Sequence, residues 1–171
     1  AKLAQNSSVL VIGLGSIGIL MAQALKAFGM NVIGCDLISS RIELLKNLGI
    51  EAFNVLEMCE SIKVDCVFMT SGSDKAIDTA LKYVRDGGKI LVFSSTPQNF
   101  GYANNEIYYR ELTVLGSYSP SPADLKDSLE LLKDKKVKVK GLSTDYPLEK
   151  VQKAINDTIE NKILKAYIKI N

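Results

Sequence analysis

The chain has 171 residues, 47% hydrophobic and 23% charged, the composition of an ordinary soluble domain with room for a real core. A formal net charge of +2, with no basic cluster set among aromatics, argues against nucleic acid as a partner. The apolar runs are short and broken by glycine or charge, which excludes a membrane span; the opening stretch AKLAQNSS lacks signal-peptide architecture, and a cytoplasmic location is expected.

In chain order, an apolar run from Val9 to Ile12 reads as a strand and ends in Gly13-Leu14-Gly15-Ser16-Ile17-Gly18. Ile17, Leu20, Met21, Ala24, Leu25 and Phe28 then recur at steps of three and four, which predicts a helix with that stripe inward and Gly29 stopping it. A second apolar run, Asn31 to Cys35, closes on Asp36. Strand, glycine turn, helix, strand and terminal acid form an order with specific physics. Gly13 allows a tight turn, Gly15 lets a pyrophosphate lie on backbone amides, and Gly18 lets the helix pack closely on the strand. The helix presents unpaired amides and its positive dipole end to phosphate. Asp36, 18 positions past Gly18, can accept hydrogen bonds from both hydroxyls of an adenosine ribose.

Ser39 or Ser40 is a candidate N-cap for a helix carrying Ile42, Leu44, Leu45 and Leu48, with Arg41 in its first turn near the acid. Glu51 to Asn54 reads as a third strand and Val55 to Val64 as a weakly signalled helix. Asp65 to Met69 is a buried strand, followed by Thr70-Ser71-Gly72-Ser73 and a helix from Ala76 to Tyr83. Asp86-Gly87-Gly88 turns into a fifth strand, Lys89 to Phe93, which ends at Ser94-Ser95-Thr96-Pro97. This alternation predicts a doubly wound, six-stranded parallel sheet with helices on both faces. Ligands bind such sheets beyond the carboxyl ends of the strands, here Gly13 to Gly18, Asp36, Thr70 to Ser73, and Ser94 to Thr96.

Phe100 to Tyr109, with Tyr102, Tyr108 and Tyr109, reads as a loop, and Leu112 to Leu115 as a sixth strand at the sheet edge. Ser119-Pro120-Ser121-Pro122-Ala123-Asp124 opens a helix bearing Leu125, Leu129 and Leu132. Lys133 to Lys140 reads as a solvated connection. A helix from Leu148 to about Glu160, with Val151, Ala154, Ile155 and Ile159, precedes a closing strand, Ala166 to Ile170. The three cysteines, Cys35, Cys59 and Cys66, form no CxxC pair, and the chain has no histidine. No tetrahedral zinc site can be drawn from these residues, and no imidazole is present for proton transfer. Cys35 and Cys66 read as buried structural thiols.

VLVIGLGSIGILMAQALKAFGMNVIGCD, Arg41, VDCVFMTSGS, DGGKILVF and RELTVLGSYSPSPADLKDSLELL follow one another as in the zinc-type medium-chain alcohol and polyol dehydrogenases. The resemblance runs from about Ser8 to Ile170. It implies a Rossmann dinucleotide-binding domain over residues 1–118, then a C-terminal helical segment and closing strand, 119–171, that contact a catalytic domain. By position, Gly13, Gly15 and Gly18 form the phosphate turn, and Ser16 and Ile17 supply amides to the pyrophosphate. Asp36 binds the adenosine ribose, Arg41 flanks the adenine, Ser71 and Ser94 line the crevice, and Lys165 matches a basic position facing the pyrophosphate. The implied activity is NAD(P)-dependent oxidation of an alcohol, with NAD preferred over NADP. The resemblance implies that the family's catalytic zinc is held by a domain outside these residues, the chain being expected to be either an excised domain or a natural fragment needing a partner chain. No catalytic or metal-binding residue is assigned, and the isolated chain is expected to bind cofactor without turnover. A homodimer through Leu112 to Leu115 is expected.

Three other readings share parts of this pattern. A nucleotide-sensing regulatory domain of the potassium-channel type also uses a glycine turn and a strand-end acid, but not the last fifty-odd residues. A short-chain reductase would use Tyr146 and Lys150, but Pro147 belongs at a helix start. A methyltransferase shares only the first turn.

Overall fold

The computed structural model describes residues 3–95 and 104–170. Expectations that fall on Thr96, Pro97, Phe100 and Tyr102 lie outside the described residues. The chain divides into two compact units, Ala1–Val137 and Lys138–Asn171.

The first unit is a six-stranded parallel sheet built from β1 (Ser8–Ile12), β2 (Asn31–Asp36), β3 (Glu51–Asn54), β4 (Val64–Met69), β5 (Val84–Val92) and β6 (Thr113–Gly116). Its order is β3-β2-β1-β4-β5-β6, the doubly wound arrangement, with the direction of winding reversing between β1 and β4. The helices α1 (Ser16–Ala27), α2 (Ser39–Asn47), α3 (Asp74–Tyr83) and α4 (Asn104–Tyr109) lie in the crossovers, and α5 (Pro122–Lys133) follows β6. Val9, Leu10, Val11, Val67 and Ile90 are fully buried, as strands covered on both faces require.

Register matters most for function. Ile12 pairs with Cys35 of β2 and with Met69 of β4, and Met69 pairs in turn with Val92 of β5. The residues immediately after these partners, Gly13, Asp36, Thr70 and Phe93, therefore emerge in line along one edge.

Several local expectations are corrected. Helix α1 buries Gly18, Ile19, Ala22, Gln23 and Leu25, whereas Ile17 and Phe28 of the expected stripe are 50% and 58% exposed. The N-cap of α2 is Ile38, with no side-chain cap, rather than Ser39 or Ser40. Residues 55–63 form turns instead of a helix. There Asn54 Oδ1 accepts from the Leu56 amide at 3.0 Å, and the Asn54 carbonyl accepts from Glu57, a local alternative to helix. The Asp86-Gly87-Gly88 turn lies inside β5 as a bulge: Val84 pairs with Val64 but Lys89 with Cys66, while the Gly87 amide donates to the Arg110 carbonyl. The segment expected as a loop before Tyr109 contains α4.

Helix α5 starts where Ser121-Pro122 predicts, with a capping box between Ser121 and Asp124. Its Leu125, Leu129 and Leu132 are 59%, 50% and 42% exposed.

The second unit pairs β7 (Thr144–Pro147), a strand not expected from sequence, in parallel with β8 (Ala166–Lys169). A 3-10 turn, Leu148–Lys150, leads into α6 (Val151–Ile159). Asp157 is buried on α6, where it accepts from Tyr146 Oη at 2.9 Å and Lys153 Nζ at 2.6 Å; these bonds hold its carboxyl below the usual range. The Tyr146 hydroxyl is thereby bonded to Asp157 rather than to Lys150. A groove of about 240 Å³ runs between α6 and β8, lined by Val151, Ile155, Ile159 and Ile168. No helix among the described residues is long and apolar enough to cross a membrane.

Candidate functional site

The β1–α1 turn is held from both neighbouring strands. Gly13 sits at φ +91, and its amide donates to the Cys35 carbonyl at 2.9 Å. From β4, Thr70 Oγ1 donates to the carbonyl oxygens of Gly13 at 2.6 Å and Ile12 at 3.1 Å. A Cβ on Gly13 would fall 2.8 Å from Ser71 Cβ. Gly15 differs: a Cβ there would meet nothing within 4 Å. Space thus opens directly over the N-terminus of α1, which begins at Ser16 and leaves the amides of its first turn without intrahelical acceptors. That first turn carries no acidic residue, so the positive end of the helix is not neutralised there.

Asp36 occupies the end of β2 with its side chain only 8% exposed. Its Oδ1 accepts from the amides of Leu37 at 2.7 Å and Ile38 at 2.9 Å, and its Oδ2 from the amide of Leu14 at 2.6 Å. Arg41 Nη1 lies 3.6 Å from Oδ2. A carboxylate offers about four lone-pair positions, and three are filled by backbone amides. Room for both hydroxyls of a ribose, as the sequence suggested, is reduced to about one position on Oδ2.

These residues border one open cleft of about 350 Å³, with Gly13, Gly15, Asp36, Arg41 and Ser71 all on its wall. Thr70, Ser73, Lys75, Ala76 and Thr79 line the α3 side, and Leu37, Ile38 and Val55 the β2 side. Lys75, Ala76, Thr79 and Val55 were not singled out in the sequence. Lys75 sits in the first turn of a helix, where a lysine looks like any solvated charge. Ser16 and Ile17 open α1 at the turn, while Gly18 is buried behind it. Ser94, two residues past the end of β5, lies outside the cleft wall, its Oγ buried and without a hydrogen-bond partner among the described residues. Lys165 belongs to the second unit, where it is exposed and its carbonyl accepts from the Thr144 amide.

The two buried thiols do not suit nucleophilic chemistry. Burial pushes Cys35 up to about 12, with the Asp36 charge adding to it, and burial pushes Cys66 up to about 11. Among the described residues no group of three metal-ligating side chains gathers. With no histidine in the sequence, these residues do not fit a catalytic zinc. They do fit a dinucleotide: open space above Gly15, helix-start amides without intrahelical acceptors, and an acid at the second strand end.

A family model described as "Zinc-binding dehydrogenase" matches residues 16–134. Sorbitol dehydrogenase of Bacillus subtilis is 31% identical over 182 residues, covering 98% of this chain and 51% of that protein. Among solved structures, benzyl alcohol dehydrogenase from Acinetobacter calcoaceticus superposes with a TM-score of 0.89 at 24% identity, over 99% of this chain and 51% of its own. Acetophenone reductase from Geotrichum candidum, solved in complex with NAD, gives 0.85 at 23% identity, over 96% of this chain and 49% of its own. The chain spans about half the length of the curated relatives it matches.

Proposed function

The chain belongs to the zinc-binding dehydrogenases, and on that premise we propose that it is the NAD(H)-binding part of a cytoplasmic alcohol or polyol oxidoreductase. The observation that carries this is the aligned strand ends. Register brings Gly13, Asp36 and Thr70 to one cleft, with open space over Gly15 at the start of α1. When bound, the dinucleotide supplies the hydride acceptor or donor for chemistry at an alcohol carbon. The amides of Ser16 and Ile17 hold its phosphates, Asp36 and Arg41 hold the adenosine end, and Ser71 faces the remainder. No residue of this chain is assigned to proton transfer or zinc ligation; those roles belong to a catalytic domain of the kind its relatives' greater length accommodates.

The second unit supports that division. A two-stranded sheet is not self-sufficient, and Val151, Ile155 and Ile159 are 41%, 47% and 72% exposed on α6. A catalytic domain packed there and on the leucines of α5 buries both faces. Among the described residues β6 ends the sheet with one edge unpaired by another strand, which suits pairing with β6 of a second copy in a symmetric dimer.

The purified chain should give saturable NADH binding in calorimetry and no NADH production from sorbitol, ethanol or butanediol with NAD, with or without zinc. Zinc-dependent turnover by this chain alone, or no binding signal, contradicts the proposal. A monomer at high concentration in sedimentation contradicts the dimer.

A further inference from the structure

The turn's amides divide into two sets. Those of Gly13 and Leu14 are committed to β2, the first to the Cys35 carbonyl and the second to Asp36 Oδ2. Those that follow, from Gly15 into the first turn of α1, have no intrahelical acceptor, and Gly15 itself borders open space. Leu14 is fully buried. Without the carboxylate its amide would be a buried donor lacking an acceptor, and the turn would have to relax to satisfy it. Asp36 is thus bonded to the phosphate turn across 22 residues of sequence, while Oδ1 fixes the amides of Leu37 and Ile38.

We infer that Asp36 is a positioning residue for the phosphate turn as well as the acid facing the ribose: its bond to the Leu14 amide holds the turn so that the next amides converge on the pyrophosphate. This rests on the dinucleotide reading above. The two roles separate physically. A ribose contact acts only on ligands that have the hydroxyls, whereas a braced turn acts on every ligand that has the phosphates.

The test has two arms. In the free 171-residue chain, amide hydrogen exchange followed by NMR should show Leu14 protected at least about tenfold over Gly15 and Ser16. Adding ADP should protect Gly15, Ser16 and Ile17. In Asp36→Asn, one oxygen is replaced by a donor, and Leu14 should lose its protection while Val9 to Ile12 keep theirs. In the second arm, ADP and 2′,3′-dideoxy-ADP are titrated against both proteins. Asp36→Asn should no longer distinguish the two ligands. It should also bind dideoxy-ADP at least about fivefold more weakly than wild type does. Equal dideoxy-ADP affinity in the two proteins overturns the inference, because Asp36 would then act through the hydroxyls alone. So does a wild-type Leu14 amide that exchanges as fast as Gly15, a readout that stands even if the variant fails to fold. If ADP binds neither protein while Leu14 is protected, the dinucleotide reading has failed, and the positioning role falls with it.

Discussion

Gly18 packs so closely on Gly13 that a Cβ added to it would fall 1.8 Å from the Gly13 carbonyl oxygen and 2.8 Å from Thr70 Oγ1. Gly15, three residues earlier, has nothing within 4 Å of the same added atom. The same substitution should therefore do opposite things. Gly18→Ala should cost about 3 kcal/mol of stability through overpacking against backbone. Gly15→Ala should fold within about 1 kcal/mol of wild type and weaken NADH binding at least tenfold, because the methyl takes space the phosphates need. Urea melts and NADH titrations of both variants decide this. A Gly15→Ala chain that binds normally would mean the phosphates lie elsewhere.

Asp65 ties the start of β4 to β1. It accepts from Arg85 Nε at 2.7 Å and from both the amide and hydroxyl of Ser8 at 2.8 Å. The Arg85 bond first, then those from Ser8, hold its carboxyl down at about 2. A carboxylate depressed in the folded state adds stability that is full above its unfolded value near 4 and is lost as pH falls toward 2. The melting-temperature gap between wild type and Asp65→Asn should therefore be constant from pH 7 to 5 and close between about pH 4 and 2. A gap that persists at pH 2 contradicts the assignment.

Arg110 holds the β5 bulge. Its guanidinium donates to the carbonyls of Leu81 and Val84 and to the carboxylates of Asp86 and Glu106, with only 21% of the side chain exposed. Arg110→Ala should cost about 3 kcal/mol in urea melts, since two backbone carbonyls lose charged donors. Arg110→Lys should recover less than half, because one ammonium cannot reproduce the planar fork. Full recovery by lysine would reduce the role to charge alone.

Much of this was legible from residues, for identifiable reasons. The Gly13–Gly18 turn and Asp36 could be read because each residue type there answers a backbone or charge requirement, and the central strands β1 and β4 because buried parallel strands are largely apolar runs. The buried face of α1 was not legible: Ile17, Ile19, Leu20, Met21, Ala22, Ala24, Leu25 and Phe28 leave the helix apolar nearly all round, so periodicity cannot choose a side. Asn54 capturing the next amides overrode helical signals in Val55 to Val64. Strand β7 is four residues ending in proline, and only its pairing with β8 makes it a strand. The brace from Asp36 to Leu14 had no signal, since a side chain's choice of backbone partner follows from tertiary register.

Cofactor choice tests the central claim most directly, through NADH and NADPH titrated calorimetrically against wild type and Asp36→Ser. A 2′-phosphate near Asp36 meets a like charge; at about 4 Å and an effective dielectric near 20 the repulsion is roughly 4 kcal/mol before screening. Arg41, 3.6 Å from Oδ2, already partners that carboxylate and must leave it to meet the phosphate. Wild type should prefer NADH by at least about tenfold, or 1.4 kcal/mol. Asp36→Ser should shrink or reverse that ratio while lowering affinity for both cofactors, because Leu14 loses its acceptor. Equal wild-type affinities for NADH and NADPH, or no binding of either, would contradict the placement of the adenosine ribose at Asp36 and the dinucleotide cleft built around it.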